Sequence, residues 1–225
     1  MRFEMTIGTA GFRYVSTTTP GKLDIIDWQK QIVNRAYNKQ PLDGRGVSLP
    51  GNSSGLKRHI QELTDYGIAE HNQIMVDWDY GIYLDLVAEA KLLGFKGKVM
   101  YGDAITVVRD LWQIGEQVDV IDFDHIAYLE PMHLKLLEDA CKHDVKVFIG
   151  VFATRGHGGG FNRFHSNLIR QYNIKPYIHW RGNETYSLKE IQGDAMYHTA
   201  VNNGYKCHYK GYNGRSTMVS CIVVK

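Results

Sequence analysis

Two carboxylates separated by a single residue, Asp122 and Asp124 in the segment VDVIDFDHIAYLEP, are the side chains of this 225-residue chain whose types and spacing most suggest chemistry. Val118 to Ile121 reads as a buried strand, so Asp122, Phe123, Asp124 and His125 fall at its carboxyl end, where open α/β sheets hold their ligands. A carboxylate at such a mouth can accept an N–H hydrogen bond, orient a nitrogen lone pair and take up developing positive charge. His125 beside the pair fits either of two roles, a proton acceptor or a loop histidine bonded to backbone.

Three further segments carry residues of the same kind. In IMVDWD, Asp77 ends a strand about twenty residues past a glycine-containing turn, a spacing at which a carboxylate can grip both hydroxyls of a sugar. In KVMYGDA, Asp103 follows a strand and either contacts a ligand or caps the helix that starts at Ala104. In VSLPGNSSG, Gly51 lacks a Cβ and so lets a ligand approach the backbone, while Ser53 or Ser54 would serve an ordinary strand-to-helix turn as N-cap. The segment RGHGGGFNRFH, from Arg155 to His165, is dense in glycine and suits a closing lid. Its His157 and His165 stand too far in sequence from acids and cysteines to suggest a metal site, and Cys141, Cys207 and Cys221 form no CxxC pair.

The elements that must position these residues follow from periodicity. Asp24 to Asn38 places Ile25, Trp28, Ile32 and Ala36 on one helical face and ends at the turn cluster Pro41 to Gly46. Strands are expected at 46–50, 73–77, 98–101, 118–122 and 145–153, each followed by a helix, the first four of these carrying Leu56 to Leu63, Ile82 to Leu93, Ala104 to Ile114 and Met132 to Lys142. Phe161 to Tyr172 reads as a further helix, Ile174 to Trp180 as an extra strand, and Ser187 to Asn203 as a helix stopped by Gly204. Tyr205 to Tyr212 and Arg215 to Val224 alternate β-formers around Asn213-Gly214, a strong hairpin signal. Repeated strand-helix units imply right-handed crossovers and a parallel sheet covered on both faces, closed here by an antiparallel pair.

Composition bounds the remaining choices. A hydrophobic content of 44% with 22% charged residues is that of a globular chain with one core. The longest apolar run, Val147 to Ala153, is far short of the roughly twenty residues a bilayer span needs, so no membrane partner is expected. The N-terminus lacks a continuous apolar h-region, and three unpaired cysteines suit a reducing, cytoplasmic setting. Residues 1–150 hold 16 Lys/Arg against 21 Asp/Glu, whereas residues 151–225 hold 10 against 3. That basic third fits either a solvated face or a surface for an anionic polymer.

Five parallel units, a terminal helix and a hairpin together resemble the class I S-adenosylmethionine-dependent methyltransferases. The resemblance implies a Rossmann-like, doubly wound, seven-stranded α/β sheet, mostly parallel with a C-terminal antiparallel hairpin. Residues 46–225 would form the S-adenosylmethionine-binding domain and residues 1–45 an arm and helix packed on it. It further implies cofactor contacts from Ser48, Pro50, Gly51, Asn52, Ser53, Asp77, Trp78, Asp103, Ala104 and Asp122, with Asp77 on the ribose and Asp103 on the adenine amine. The fourth motif is similar to that of tRNA guanine-N2 methyltransferases, although His125, Ile126 and Ala127 stand where that family has proline, an aromatic and glycine. On this reading Asp124 orients the acceptor, Asp122 lies nearer the cofactor, His125 takes the proton and Tyr128 stacks on a planar acceptor. Arg155, His157, Arg163 and Tyr212 would meet the acceptor, a nucleic-acid base with RNA favoured over DNA. A small molecule or protein remains an alternative acceptor, as does a non-catalytic binding protein of the same architecture. A nicotinamide-dependent oxidoreductase would need the GxGxxG fingerprint, which the first loop lacks.

Overall fold

The computed structural model describes residues 20–50, 53–154, 163–178, 184–213 and 217–225. Seven helices, α1 (Pro20–Tyr37), α2 (Ser53–Asp65), α3 (Tyr80–Leu93), α4 (Ala104–Gln113), α5 (Pro131–Lys142), α6 (Arg163–Tyr172) and α7 (Leu188–Asn202), surround the strands β1 (Arg45–Ser48), β2 (Gln73–Asp77), β3 (Lys98–Tyr101), β4 (Val118–Ala127), β5 (Val147–Ala153), β8 (Lys206–Asn213) and β9 (Thr217–Val224). These strands form one sheet in the order β3-β2-β1-β4-β5-β9-β8, parallel except for β9, which runs antiparallel between β5 and β8. The central strands are continuous apolar runs because both their faces are covered, and every residue of β2 and β5 is buried.

Alternation along those strands splits the core in two. Val47, Ile74, Val76, Ile121 and Phe148 pack with side chains of α4, α5, α6 and α7 on one face. Met75, Val120, Val147, Ile149 and Val151 pack with side chains of α1, α2 and α3 on the other. After β3 the chain returns to place β4 on the far side of β1, so the sheet order reverses direction between β1 and β4. Such a reversal opens a crevice at the carboxyl ends of the two strands, because the crossovers on either side depart to opposite faces.

Three elements differ from the sequence expectation. β4 runs on to Ala127, so Asp122 to His125 lie within the strand and not at its carboxyl end. The extra strand expected at 174–180 is the short β6 (Tyr177–Ile178), which pairs antiparallel with β7 (Glu184–Thr185) in a sheet of their own, while 179 and 180 lie outside the described residues. In α1 the buried stripe is Ile25, Ile26, Gln29 and Val33, with Trp28 and Ile32 at its flank and Ala36 exposed. Gln29 occupies a core position because its amide is fully used, donating to Ser220 Oγ at 2.8 Å and accepting from Tyr66 Oη at 3.2 Å. Apolar periodicity gives no weight to such a residue. No helix among the described residues is long and apolar enough to cross a membrane.

A second buried amide holds the carboxyl ends of β4 and β5. Gln192 on α7, fully buried, accepts from Leu129 N at 2.8 Å and donates to Ala153 O at 2.9 Å. Gln192→Leu would leave both backbone groups without that partner, at about 1–3 kcal/mol for each group left unsatisfied. A melting temperature lower by roughly 4–24 °C is the expected result, measured by calorimetry at neutral pH.

Candidate cofactor site

At the crevice a cavity of about 180 Å³ is lined by Leu49, Trp78, Asp103, Ala104, Ile105, Phe123, Glu130, Met132 and His133. These residues come from five separate segments, four of them just past the carboxyl end of a strand or at the start of a helix and one within β4. Leu49 follows β1, Trp78 follows β2, Asp103 to Ile105 follow β3 and open α4, Phe123 is on β4, and Glu130 to His133 open α5. Apolar side chains from Leu49, Ala104, Ile105, Phe123 and Met132 supply opposing walls for a flat heterocycle, and the exposed Trp78 stands at the rim.

Polar groups at this end are held by helix starts. Asp103 caps α4, its Oδ1 accepting from Thr106 N at 2.9 Å and Thr106 Oγ1 at 3.2 Å. Its Oδ2 has no partner among the described residues and can accept from an exocyclic amine. Asp103, a lining residue of the cavity, thus fills the capping role with one of its two oxygens. Asp77, buried at the tip of β2, accepts from Asp79 N at 2.8 Å, and Gly102 N donates to Asp77 O at 3.0 Å, which ties the tips of β2 and β3 together. Asp79, and not Asp77, caps α3, accepting from Gly81 N and Ile82 N. His133 Nδ1 accepts from Glu130 N at 2.9 Å, and its ring stands edge-on to Phe152.

Of the residues expected from sequence, the cavity gathers Trp78, Asp103 and Ala104, with Asp77 on the strand beside it. Ser48 and Asp122 lie elsewhere. They are Cα partners in the β1–β4 register, both are buried, and both face α1 and α2. There Ser48 Oγ lies 2.7 Å from His59 Nδ1 and donates to Asp122 Oδ2 at 3.3 Å. Pro50 is buried immediately before the loop. Asp124 and His125 lie on β4 two and three residues past Asp122, with their side chains outside the described set. Tyr128 is half-buried and edge-on to His165, ring centroids 6.4 Å apart, while Arg163 is exposed at the start of α6. Gly51, Asn52, Arg155 and His157 lie outside the described residues, as do the side chains of Ser53 and Tyr212.

Sequence reading missed Leu49, Ile105, Phe123, Glu130, Met132 and His133, and it missed His59 and Glu62 in α2. Strand alternation was the available signal for Leu49 and Phe123, each of which follows a singled-out polar residue and so points to the opposite face; Ile105, Glu130, Met132 and His133 come from helix starts, where it gives none. His59 and Glu62 fall on the same helical stripe as Leu56 and Leu63, so polar residues at core positions were legible as such.

His59, Glu62 and Asp122 offer ligand atoms within 4.8 Å of one another, the spacing of a metal site. Arg58 decides against that use, because its Nη2 lies 2.8 Å from His59 Nε2 and arginine only donates. Nε2 must therefore accept, Nδ1 carries the proton, and the nitrogen facing the carboxylates is a donor in place of a ligand.

No protein-family model matches the sequence, and no curated protein matches it by sequence either. Solved structures do match. An O-methyltransferase from Bacillus cereus in complex with S-adenosylhomocysteine superposes with a TM-score of 0.56 at 13% identity, over 95% of this chain and 84% of that one. A S-adenosylmethionine-dependent methyltransferase from Agrobacterium tumefaciens gives 0.53 at 15% identity over 96% of this chain, which spans 65% of that protein's length. The METTL16 methyltransferase domain gives 0.51 at 11% identity, over 92% and 69% of the two chains.

Burial holds the His165 imidazole below its ordinary pKa. A neutral form favoured by folding gives stability that is complete above the unfolded value, about 6.5, and is lost as pH falls below it. From about pH 7.5 to about pH 5.5, the melting temperature of the wild-type protein should drop more than that of His165→Gln, and equal slopes would remove this assignment. Strand order, the antiparallel insertion of β9 and these neighbours together identify the chain's architecture as the class I, Rossmann-like S-adenosylmethionine-dependent methyltransferase fold.

Proposed function

We propose that the chain is a S-adenosylmethionine-dependent methyltransferase whose acceptor is a nucleic-acid base, RNA before DNA. The observation that carries the first half is the cavity at the β1–β4 reversal, with apolar walls and the unengaged Asp103 Oδ2 at its edge. These residues fit an adenosine: Leu49, Phe123 and Met132 would enclose the base, Asp103 would accept from its amine, and Asp77 on the neighbouring strand would hold the ribose. When bound, the cofactor supplies an electrophilic methyl group on a sulfonium.

The chain's own residues have to align an acceptor with that group and exclude water, since the displacement is in-line. Asp122 is engaged by Ser48 and sealed beneath α1 and α2, whereas the β4–β5 register shifts between Phe123 and Ala127, the stretch that holds Asp124, and to Asp124 we assign the carboxylate that accepts an N–H bond and orients the lone pair. His125 follows it as the group to take the proton released.

Charge supports the acceptor class. On the edge strand β8, Lys206, His208 and Lys210 are exposed at alternate positions, in the third of the chain that carries 10 Lys/Arg against 3 Asp/Glu. The aromatic residues of this third contribute less than their number suggests. Phe164, Tyr172 and Tyr209 pack against the core, and Tyr172 stacks on His198. Phosphate contact, with Arg163 and the β8 lysines, is thus the better supported part of the reading.

Calorimetric titration should show binding of S-adenosylhomocysteine and none of NAD(H). Asp103→Ala and Asp77→Ala are expected to weaken that binding about tenfold, whereas Asp124→Ala should retain it and lose transfer about a hundredfold or more. A protein indifferent to S-adenosylhomocysteine would end this reading. Screened with labelled cofactor across RNA, DNA, protein and metabolites, the label should enter RNA, and RNA affinity should fall steeply with salt; label in metabolites alone would replace the acceptor.

A further inference from the structure

We infer that His59 is a positioning residue that sets the cofactor cavity from the opposite face of the sheet, acting through Ser48 and Asp122. The inference rests on the methyltransferase reading above, since the cavity it concerns is the one given there to the adenosine.

Ser48 and Asp122 are register partners on β1 and β4, and the residues that follow them, Leu49 and Phe123, are walls of the cavity. Successive side chains of a strand point to opposite faces, so whatever fixes Ser48 and Asp122 beneath the sheet also fixes where Leu49 and Phe123 stand on the other side. Beneath the sheet the fixing is one directed chain of hydrogen bonds. Arg58 Nη2 donates to His59 Nε2 at 2.8 Å, His59 Nδ1 donates to Ser48 Oγ at 2.7 Å, and Ser48 Oγ donates to Asp122 Oδ2 at 3.3 Å. Only the first donor is beyond choice, because a guanidinium cannot accept; the direction of the other two follows from it. Glu62 closes the cluster, with Oε2 3.7 Å from His59 Nδ1 and Oε1 3.3 Å from Arg58 Nε, so Arg58 faces both the histidine and a carboxylate.

The location is what makes this more than core packing. β1 has four residues, and its last one is held sideways to β4 by this chain in addition to the backbone ladder. A leucine at position 59 would fill the same stripe of α2 as Leu56 and Leu63, yet it would leave Ser48 and Asp122 without a common anchor. Buried polar networks are seldom the most stable solution, and they persist where they select one arrangement of the groups around them.

Three substitutions separate positioning from stability. In His59→Asn the amide nitrogen stands near the place of Nδ1 and keeps the donor to Ser48. In His59→Gln the amide reaches the place of Nε2 and keeps only Arg58, while His59→Leu keeps neither. Titrated with S-adenosylhomocysteine, His59→Asn should bind within about threefold of wild type, and His59→Gln and His59→Leu about tenfold or more weakly. Melting temperatures measured on the same samples should not follow that order, and Ser48→Ala should add nothing to the loss in His59→Leu. Affinities that track melting temperature, equal affinity in all three variants, or additive losses would each overturn the inference while binding to the wild type leaves the methyltransferase reading in place. Failure of the wild type itself to bind would instead strike that reading. In that event nitrogen NMR still decides the hydrogen-bond chain, since it requires a proton on His59 Nδ1 and none on Nε2; the opposite tautomer removes it.

Discussion

Parallel pairing of β1 with β4 is the constraint on which the rest of this molecule depends. Because the chain leaves β1 through α2 toward β2 on one side and reaches β4 only after β3, the helices that follow these adjacent strands, α2 and α5, lie on opposite faces of the sheet. Helices that leave to opposite faces open a gap between the two strand tips, where a ligand can lie over the sheet. The cavity wall residues Leu49 and Phe123 are the first side chains past, or at, that gap, and the helix starts at Asp103 and Glu130 complete it from the flank. Pairing, crossover and site are thus a single geometric fact seen at three scales.

Much of this was legible in the residues, and the reasons are particular. Apolar runs such as Val147–Ala153, glycine stops such as Gly94 with its φ of 65°, and the alternating β-formers of β8 and β9 each carry a local physical preference that the fold does not override. Element order then leaves little topological freedom, since right-handed crossovers put successive parallel strands side by side. Asp103 illustrates a harder case: both roles open to it from sequence, cap and ligand contact, are compatible, because a carboxylate has two oxygens and the cap uses one.

What escaped was information carried between elements. Sequence attention went to polar residues at strand ends, and of the register pair Ser48 and Asp122 it anticipated the strand position but not the face. Face depends on which helices cover each side, and polar residues do not declare it, as apolar ones do through their periodicity. Gln29 and Gln192 escaped for the same reason. Each is a polar side chain in a core position, made tolerable only by partners distant in sequence, Ser220 and Tyr66 for one, Leu129 and Ala153 for the other. The segment from Ile174 extends as β6, yet it pairs with β7, because β-propensity says that a segment will extend and nothing about which edge it will meet; the two edges of the main sheet are β3 and β8.

The two faces of the sheet also divide the electrostatic work. On the cavity face, charge is confined to the rim: Asp103 and Glu130 lie at helix starts where backbone N–H groups and solvent stabilise a carboxylate, so the interior walls can remain apolar. On the opposite face Asp122, Glu62, Arg58 and His59 are withdrawn from water together. Burial of any one alone would be strongly unfavourable, and as a set they compensate one another only in one arrangement. The apolar face can therefore accept ligands of somewhat different shape, whereas the polar face fixes the separation of the strands on which both depend.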